Sequence, residues 1–146
     1  MFTIDKDINK EIEGRISWNN LWIEFANLVS KRSSDQKMKV GCVIVTRDNT
    51  KVIAIGYNGD QKGGSNKRES ILSGESGFIH AEVNALIKAN YDLIQDKIMY
   101  LTHSPCRMCA KAIINSEVKE VYFQNIYEEE SILLLNKHGI KTQKIG

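Results

Sequence analysis

The sequence is poor in the residues that mark several common protein classes. It contains three cysteines and one proline among 146 residues. Three cysteines cannot pair into a disulfide framework, so we expect a reducing, cytoplasmic location. One proline and ten glycines exclude collagen-like and proline-rich low-complexity chains. The sequence opens on no secretory leader and has no apolar run near the ~20 residues that span a bilayer, so we expect no membrane partner.

The rest of the composition is that of one globular domain. The chain is 42% hydrophobic and 26% charged, which suits a domain with its own core. A net charge of +2 is too small to predict duplex nucleic acid as a partner. The basic residues are concentrated between Lys31 and Arg68, where nine lysines and arginines stand against three aspartates. This segment is either a solvated basic face or a site for a small anion such as phosphate.

Hydrophobic periodicity predicts helices and strands that alternate along the chain. Residues 1–16 form an N-terminal arm and 17–146 one domain. A helix from Ser17 to about Lys31 is predicted to bury Trp18, Trp22 and Phe25. Strands are predicted at 40–45, 51–57, 97–102, 120–123 and 140–145, and further helices at 81–90, 106–116 and 128–139. The order predicts a three-layer α-β-α fold, a mixed five-stranded sheet with helices on both faces and its last three strands side by side.

One connection is unusually long for a compact domain. The stretch 58–79, between the second predicted strand and the second helix, has 22 residues and five glycines. Loops of this length are usually functional or disordered.

Two short motifs carry the strongest chemical signal, and each lies where a helix is predicted to begin. They are His80-Ala-Glu82 and Pro105-Cys106-Arg-Met-Cys109. One imidazole and two thiolates suit Zn²⁺. A structural zinc site closes with four protein ligands, whereas three ligands and a water describe a catalytic one. The remaining cysteine, Cys42, lies within an apolar strand and is predicted to be a core residue.

Glu82 follows His80 by two residues, so it is placed to act as an acid or base beside the metal without binding it. The motifs have two other interpretations. The Cys-x-x-Cys pair could be a redox centre, but the flanking sequence does not fit one. A non-catalytic zinc module would need a fourth ligand and would leave Glu82 without a task. The pattern His-x-Glu followed by Pro-Cys-x-x-Cys is the one known from zinc deaminases.

These motifs, together with Gly56-Tyr-Asn-Gly59, give a resemblance that runs from about Trp18 to the C-terminus. The chain resembles the zinc-dependent cytidine/deoxycytidylate deaminase superfamily, and most closely its deoxycytidylate branch. The resemblance implies that His80, Cys106 and Cys109 bind zinc and that Glu82 is the proton shuttle. The loop after the Gly-Tyr-Asn-Gly turn lacks the cysteines that hold a second, structural zinc in many members, so one zinc per chain is expected.

The resemblance also implies contacts with the substrate. Asn58 matches an asparagine that hydrogen-bonds the sugar, and Ser104 the position whose main-chain carbonyl holds the exocyclic amine. Some of the basic loop residues, Lys62, Lys67 and Arg68, are expected near phosphate. Two residues stay open: Tyr127 either borders the base or is an exposed loop tyrosine, and His103 either belongs to the pocket or is an ordinary strand-end histidine.

The implied function is that of a hydrolase that converts dCMP to dUMP and ammonia. Members are usually homo-oligomers, often hexamers, and are frequently regulated by dCTP and dTTP. The alternatives are the same chemistry on dCTP, cytosine, guanine or a tRNA adenosine, or a non-catalytic zinc-binding module. The basic segment favours a phosphorylated substrate over a free base, and the small net charge argues against tRNA.

Overall fold

The computed structural model describes residues 14–91 and 96–146. Its helices are α1 (Trp18–Ser30), α2 (Ala81–Lys88), α3 (Arg107–Ile114) and α4 (Glu129–Lys137). Its strands are β1 (Gly41–Thr46), β2 (Val52–Tyr57), β3 (Lys97–His103), β4 (Val118–Asn125) and β5 (Lys141–Lys144). This order of elements confirms the predicted one. Residues 1–13 of the predicted N-terminal arm lie outside the described residues, so the arm stays a prediction. In the described ranges, no helix has the length and hydropathy needed to cross a membrane.

The five strands form one mixed sheet in the order β2-β1-β3-β4-β5. β1 pairs antiparallel with β2 and β3, whereas β3, β4 and β5 run parallel. The prediction that the last three strands lie side by side is therefore confirmed. Because β3 and β4 are parallel, their carboxyl ends meet at one edge of the sheet. The segments that follow the two strands, one of them carrying Cys106 and the other Tyr127, begin side by side there.

Alternate residues of the central strands face two separate hydrophobic clusters. Cys42, Ile44, Met99 and Leu101 pack with residues of α2, α3 and α4. On the opposite face, strand residues such as Val43 and Ile98 pack with α1. Successive side chains of a strand point to opposite faces, so both faces of the sheet are covered by helices. The three-layer α-β-α architecture is confirmed: of the helices in the described part of the chain, α2, α3 and α4 form one layer and α1 the other.

The buried face of α1 is not the predicted one. Trp18 is 43% exposed, and Trp22 and Phe25 only border the core, whereas Asn19, Ile23, Ala26, Val29 and Ser30 are buried. The reason is a close approach between α1 and β1. A Cβ on Gly41 would lie 2.0 Å from the Ala26 carbonyl oxygen. Because the two backbones are this close, small side chains of α1 face the sheet here, and the two tryptophans lie outside this contact.

A second glycine places α2 against β2. A Cβ on Gly56 would lie 2.3 Å from the Ala81 carbonyl oxygen and 2.5 Å from the Ala85 amide nitrogen. The first turn of α2 therefore rests directly on the strand backbone, which is possible only without a side chain. This contact fixes the position of the residues at the start of α2, including His80 and Glu82.

Candidate active site

The two chemical motifs lie at the beginnings of two helices. His80 is the N-cap of α2, and Cys106 is the N-cap of α3. The Cys106 sulfur accepts a hydrogen bond from the Cys109 amide at 3.5 Å, so the Cys-x-x-Cys spacing closes the first turn of α3. Unpaired N–H groups and the helix dipole favour negative charge at such ends. The local structure thus favours a thiolate at Cys106 before any metal is considered, whereas the hydrogen bond that Cys109 donates to Cys106 raises the pKa of the Cys109 thiol.

The tertiary structure brings the three predicted ligands together. The His80 Nδ1 atom lies 3.4 Å from the Cys106 sulfur and 3.3 Å from the Cys109 sulfur, and all three ligand atoms lie within 4.8 Å of one another. Tetrahedral zinc with Zn–S near 2.3 Å and Zn–N near 2.05 Å puts nitrogen and sulfur about 3.6 Å apart. The geometry and the donor set both fit zinc, with Nδ1 as the imidazole ligand.

The protein environment keeps Cys106 ionised. A hydrogen bond from the Cys109 thiol lowers the pKa of Cys106 to about 4, with a further contribution from His80, although burial opposes both. The hydrogen bond to Cys106 in turn raises the pKa of His80 above its usual value. Cys42 shows the opposite behaviour, because burial raises the pKa of its thiol. Cys42 lies in the core beneath α2, as the sequence predicted.

Glu82 occupies the first turn of α2 and is 4% exposed. Burial raises the pKa of its carboxyl group, although its own backbone N–H and the charge of His80 lower it. A carboxyl group with a raised pKa exchanges protons more readily near neutral pH than an ordinary one. Glu82 is therefore suited to transfer protons beside the ligand cluster.

An open cavity begins at this cluster. Its empty volume is about 650 Å³, which includes space open to solvent. His80, Glu82 and Cys106 line it, while Cys109 is 1% exposed and lies behind them. Among the predicted substrate contacts, the structure brings Asn58, Arg68, Ser104 and Tyr127 to the same cavity.

The Asn58 side chain lines the cavity but is also held by the backbone. Its Oδ1 accepts from the Val40 amide at 2.8 Å, and its Nδ2 donates to the Met38 carbonyl at 2.8 Å. The amide is thus fixed in one orientation before any ligand arrives. Asn58 has a clear structural task in addition to the predicted sugar contact.

Ser104 connects the end of β3 to the segment before α4. Its hydroxyl oxygen accepts hydrogen bonds from the backbone N–H groups of Tyr127 at 2.7 Å and Glu128 at 3.4 Å. Tyr127 in turn lies with its hydroxyl 3.2 Å from the Ser73 hydroxyl across the cavity. The long loop and Tyr127 therefore meet, and together they cover part of the site.

The basic residues of the long loop differ in position. Lys62 and Lys67 are exposed and are not among the residues that line the cavity. Arg68 lines it, but its guanidinium bonds the Asp35 carboxylate and the carbonyls of Ser70 and Leu72. Arg68 therefore organises the loop besides carrying its charge to the cavity.

Lys37 and His103 are among the further residues that line the cavity and that the motifs did not select. Lys37 reaches the cavity, and its ammonium group hydrogen-bonds the Ile71 carbonyl of the long loop. It belongs to the basic segment between Lys31 and Arg68, which was the only signal for it in the sequence. His103, which the sequence left open, also lines the cavity.

Comparison with known proteins agrees with the geometry. Residues 16–125 match the family described as the cytidine and deoxycytidylate deaminase zinc-binding region. A probable deoxycytidylate deaminase of Caenorhabditis elegans is 34% identical over 82% of this chain and 64% of its own length. Human deoxycytidylate deaminase is 32% identical over 92% of this chain and 83% of its own. The chain thus spans slightly less than two thirds of the nematode relative.

The fold has a solved counterpart. The dCMP deaminase of the cyanophage S-TIM5, in complex with dCMP and dUMP, superimposes with a TM-score of 0.77 and 31% sequence identity. The match covers 86% of this chain and 95% of the phage protein.

Proposed function

The chain belongs to the cytidine and deoxycytidylate deaminase family, and we propose that it catalyses the hydrolytic deamination of dCMP to dUMP and ammonia. The observation that carries the proposal is the position of buried Glu82 beside the His80–Cys106–Cys109 cluster, at one end of an open cavity. The named relatives and the phage enzyme that binds dCMP and dUMP support the choice of substrate.

One zinc per chain is proposed at His80 Nδ1 and the two sulfurs. When bound, zinc supplies Lewis-acid activation of water at neutral pH. The residues of the chain prepare the site for it. The helix N-termini stabilise thiolates, and the low pKa of Cys106 lets this ligand bind the metal without first losing a proton.

Glu82 is proposed to carry the protons of the reaction. Its carboxylate accepts a proton from the water that attacks C4 of the cytosine and delivers it to N3. It then takes the remaining proton from the new hydroxyl group on C4 and gives it to the amine, which leaves as ammonia when the C–N bond breaks and the C4 carbonyl forms. Burial favours the protonated carboxyl group between these transfers. A deaminase needs one group that both accepts and donates, and a carboxyl group with a raised pKa can do so.

The remaining cavity residues are proposed to hold the nucleotide. Asn58 is oriented for the sugar, and the Ser104 main chain for the exocyclic amine. Tyr127, whose backbone N–H the Ser104 hydroxyl group holds and which lines the cavity, is proposed to border the base. For the phosphate we propose a cation of the basic segment. Arg68 and Lys37, which line the cavity, are better placed than Lys62 and Lys67.

The non-catalytic alternative leaves two features unexplained. A zinc module that only binds a partner has no use for the buried carboxyl group of Glu82 or for an open cavity at the metal ligands. The experiment that tests the proposal measures ammonia release from dCMP, dCTP, deoxycytidine, cytosine, guanine and tRNA in parallel. Preferred turnover of dCMP is the expected result. Preferred turnover of another substrate would keep the deamination chemistry and change the assigned substrate. No turnover of any of these substrates would rule out the proposed function.

We also propose that the chain forms a homo-oligomer in a reducing, cytoplasmic location. Large apolar side chains on the helical layer of α2, α3 and α4 support assembly, because Ile87, Met108 and Leu133 are 69%, 75% and 64% exposed. The need to keep the two ligand thiols reduced supports the location. Regulation by dCTP and dTTP is proposed from the family resemblance alone, and turnover measured with each nucleotide tests it.

A further inference from the structure

His103 is the last residue of β3 and lies three positions before Cys106. Its side chain is partly buried and lines the cavity that contains Glu82 and the metal ligands. The proposed reaction gives it no task.

The neighbouring Thr102 fixes the state of the His103 ring. The Thr102 hydroxyl oxygen accepts a hydrogen bond from the Gly41 amide at 3.1 Å and lies 2.9 Å from Nδ1 of His103. Thr102 is 2% exposed, and a buried hydroxyl hydrogen without an acceptor is costly. The hydroxyl group therefore donates to Nδ1. The neutral ring must then carry its proton on Nε2, and burial, which lowers the pKa of His103, favours this neutral form.

The support for His103 is rigid. The Asn125 side chain donates to the Thr102 carbonyl at 2.9 Å, and the Ser104 amide donates to the Asn125 carbonyl at 2.8 Å. These bonds hold the residues on both sides of His103 against the end of β4. An imidazole fixed in this way presents its Nε2–H group at little entropic cost.

The position of His103 indicates which part of a ligand it meets. Thr102 is bonded to Gly41, and the adjacent Val40 is bonded to Asn58. These bonds join the end of β3 that carries His103 to the segment held by Asn58, the proposed sugar contact, and His103, Asn58 and Lys37 all line the cavity. The metal ligands and Glu82 occupy the end of the cavity where the base must react.

We propose that His103 is a substrate-binding residue whose Nε2–H group donates a hydrogen bond to an oxygen of the sugar–phosphate part of the nucleotide. This inference rests on the proposed function and adds a residue that determines affinity for the substrate. A sugar hydroxyl and a phosphate oxygen are both acceptors for the same donor, and the choice of substrates in the test separates them.

The test compares His103→Leu, which removes the donor, with His103→Gln, whose amide nitrogen can replace Nε2. Both variants are checked for zinc content and circular dichroism. We expect His103→Leu to raise the KM for dCMP about tenfold, the loss of one hydrogen bond, with kcat within about twofold of the wild type. His103→Gln should recover most of the affinity. An equal rise for deoxycytidine identifies a sugar hydroxyl, and a rise confined to dCMP identifies phosphate.

A second measurement needs no variant. Nitrogen-15 NMR of the histidine rings should show His103 as the Nε2–H tautomer, and its signal should shift when dUMP is added. A wild-type KM in His103→Leu with both substrates, or an Nδ1–H tautomer, overturns the inference while dCMP turnover by the wild type keeps the proposed function. Absence of dCMP turnover in the wild type overturns both.

Discussion

The guanidinium group of Arg68 lies 2.5 Å from the carboxylate of Asp35 and joins the long loop to the segment before β1. The two side chains are only 17% and 3% exposed. Asp35 also accepts from the Lys37 amide and lies 3.4 Å from the Asn58 amide group. One buried ion pair therefore connects the loop, the basic segment and the proposed sugar contact.

Removing the charge of Asp35 should destabilise this connection. Asp35→Asn keeps an oxygen for the Lys37 amide but leaves Arg68 without its anion, so we expect the free energy of unfolding to fall by about 3 kcal/mol. The matched control is Asp96→Asn, which breaks the Arg47–Asp96 pair, where the side chains are 75% and 34% exposed. Urea unfolding should show a loss of about 0–1 kcal/mol for the control. Equal losses would mean that the buried Arg68–Asp35 pair stabilises the fold no more than the exposed pair does.

The role of Glu82 is tested by Glu82→Gln, which keeps size but cannot accept a proton. We expect the variant to retain zinc and to bind dCMP within about tenfold of the wild type, while kcat falls by at least ~10²–10⁴. Exposed Glu75 on the long loop supplies the control, and Glu75→Gln should keep turnover within about twofold. Loss of zinc from Glu82→Gln would make Glu82 a ligand, and normal turnover would rule out the proposed mechanism.

Metal content distinguishes the three cysteines. We expect one zinc per chain in the wild type, and loss of zinc in Cys106→Ala and Cys109→Ala, because each removes one of three protein ligands. Cys42→Ala is the control, since Cys42 is buried in the core and should affect stability without releasing metal. Elemental analysis of the purified proteins gives the result. Two tightly bound zincs per wild-type chain, or zinc loss in Cys42→Ala, would contradict this assignment.

The phosphate contact is tested by charge reversal. Lys37 lines the cavity, so Lys37→Glu should raise the KM for dCMP at least fivefold more than the KM for deoxycytidine, because only dCMP carries the phosphate charge. The loop lysines are tested by Lys62→Glu and Lys67→Glu in the same assay. Each should change the ratio of the KM for dCMP to the KM for deoxycytidine less than Lys37→Glu does. Lys137→Glu, at an exposed position of α4, is the control for a general change in charge. Equal effects of Lys37→Glu on both substrates would remove the phosphate role.

The extent of helix α1 was predicted correctly, but its predicted buried face was wrong for a reason that lies outside the helix. Its largest apolar side chains gave the periodicity, and they predicted Trp18 in the core. The close approach of the backbone at Gly41 instead selected Ala26 and Ser30 for the face against the sheet. Hydrophobic spacing along one element does not contain the distance to its neighbour, so the size of the facing residues could not be derived from it.

The sequence by itself determined the order of helices and strands, because hydrophobic period and turn residues are local properties. It also determined the donor set of the metal site, because His-x-Glu and Cys-x-x-Cys are short motifs at helix starts. Only the tertiary structure decided that His80 and Cys106, 26 residues apart, bring nitrogen and sulfur into contact. It also decided which cations reach the cavity. Lys37 and Lys62 look alike in the sequence, but loop folding and β-strand pairing bring only Lys37 to the cavity wall.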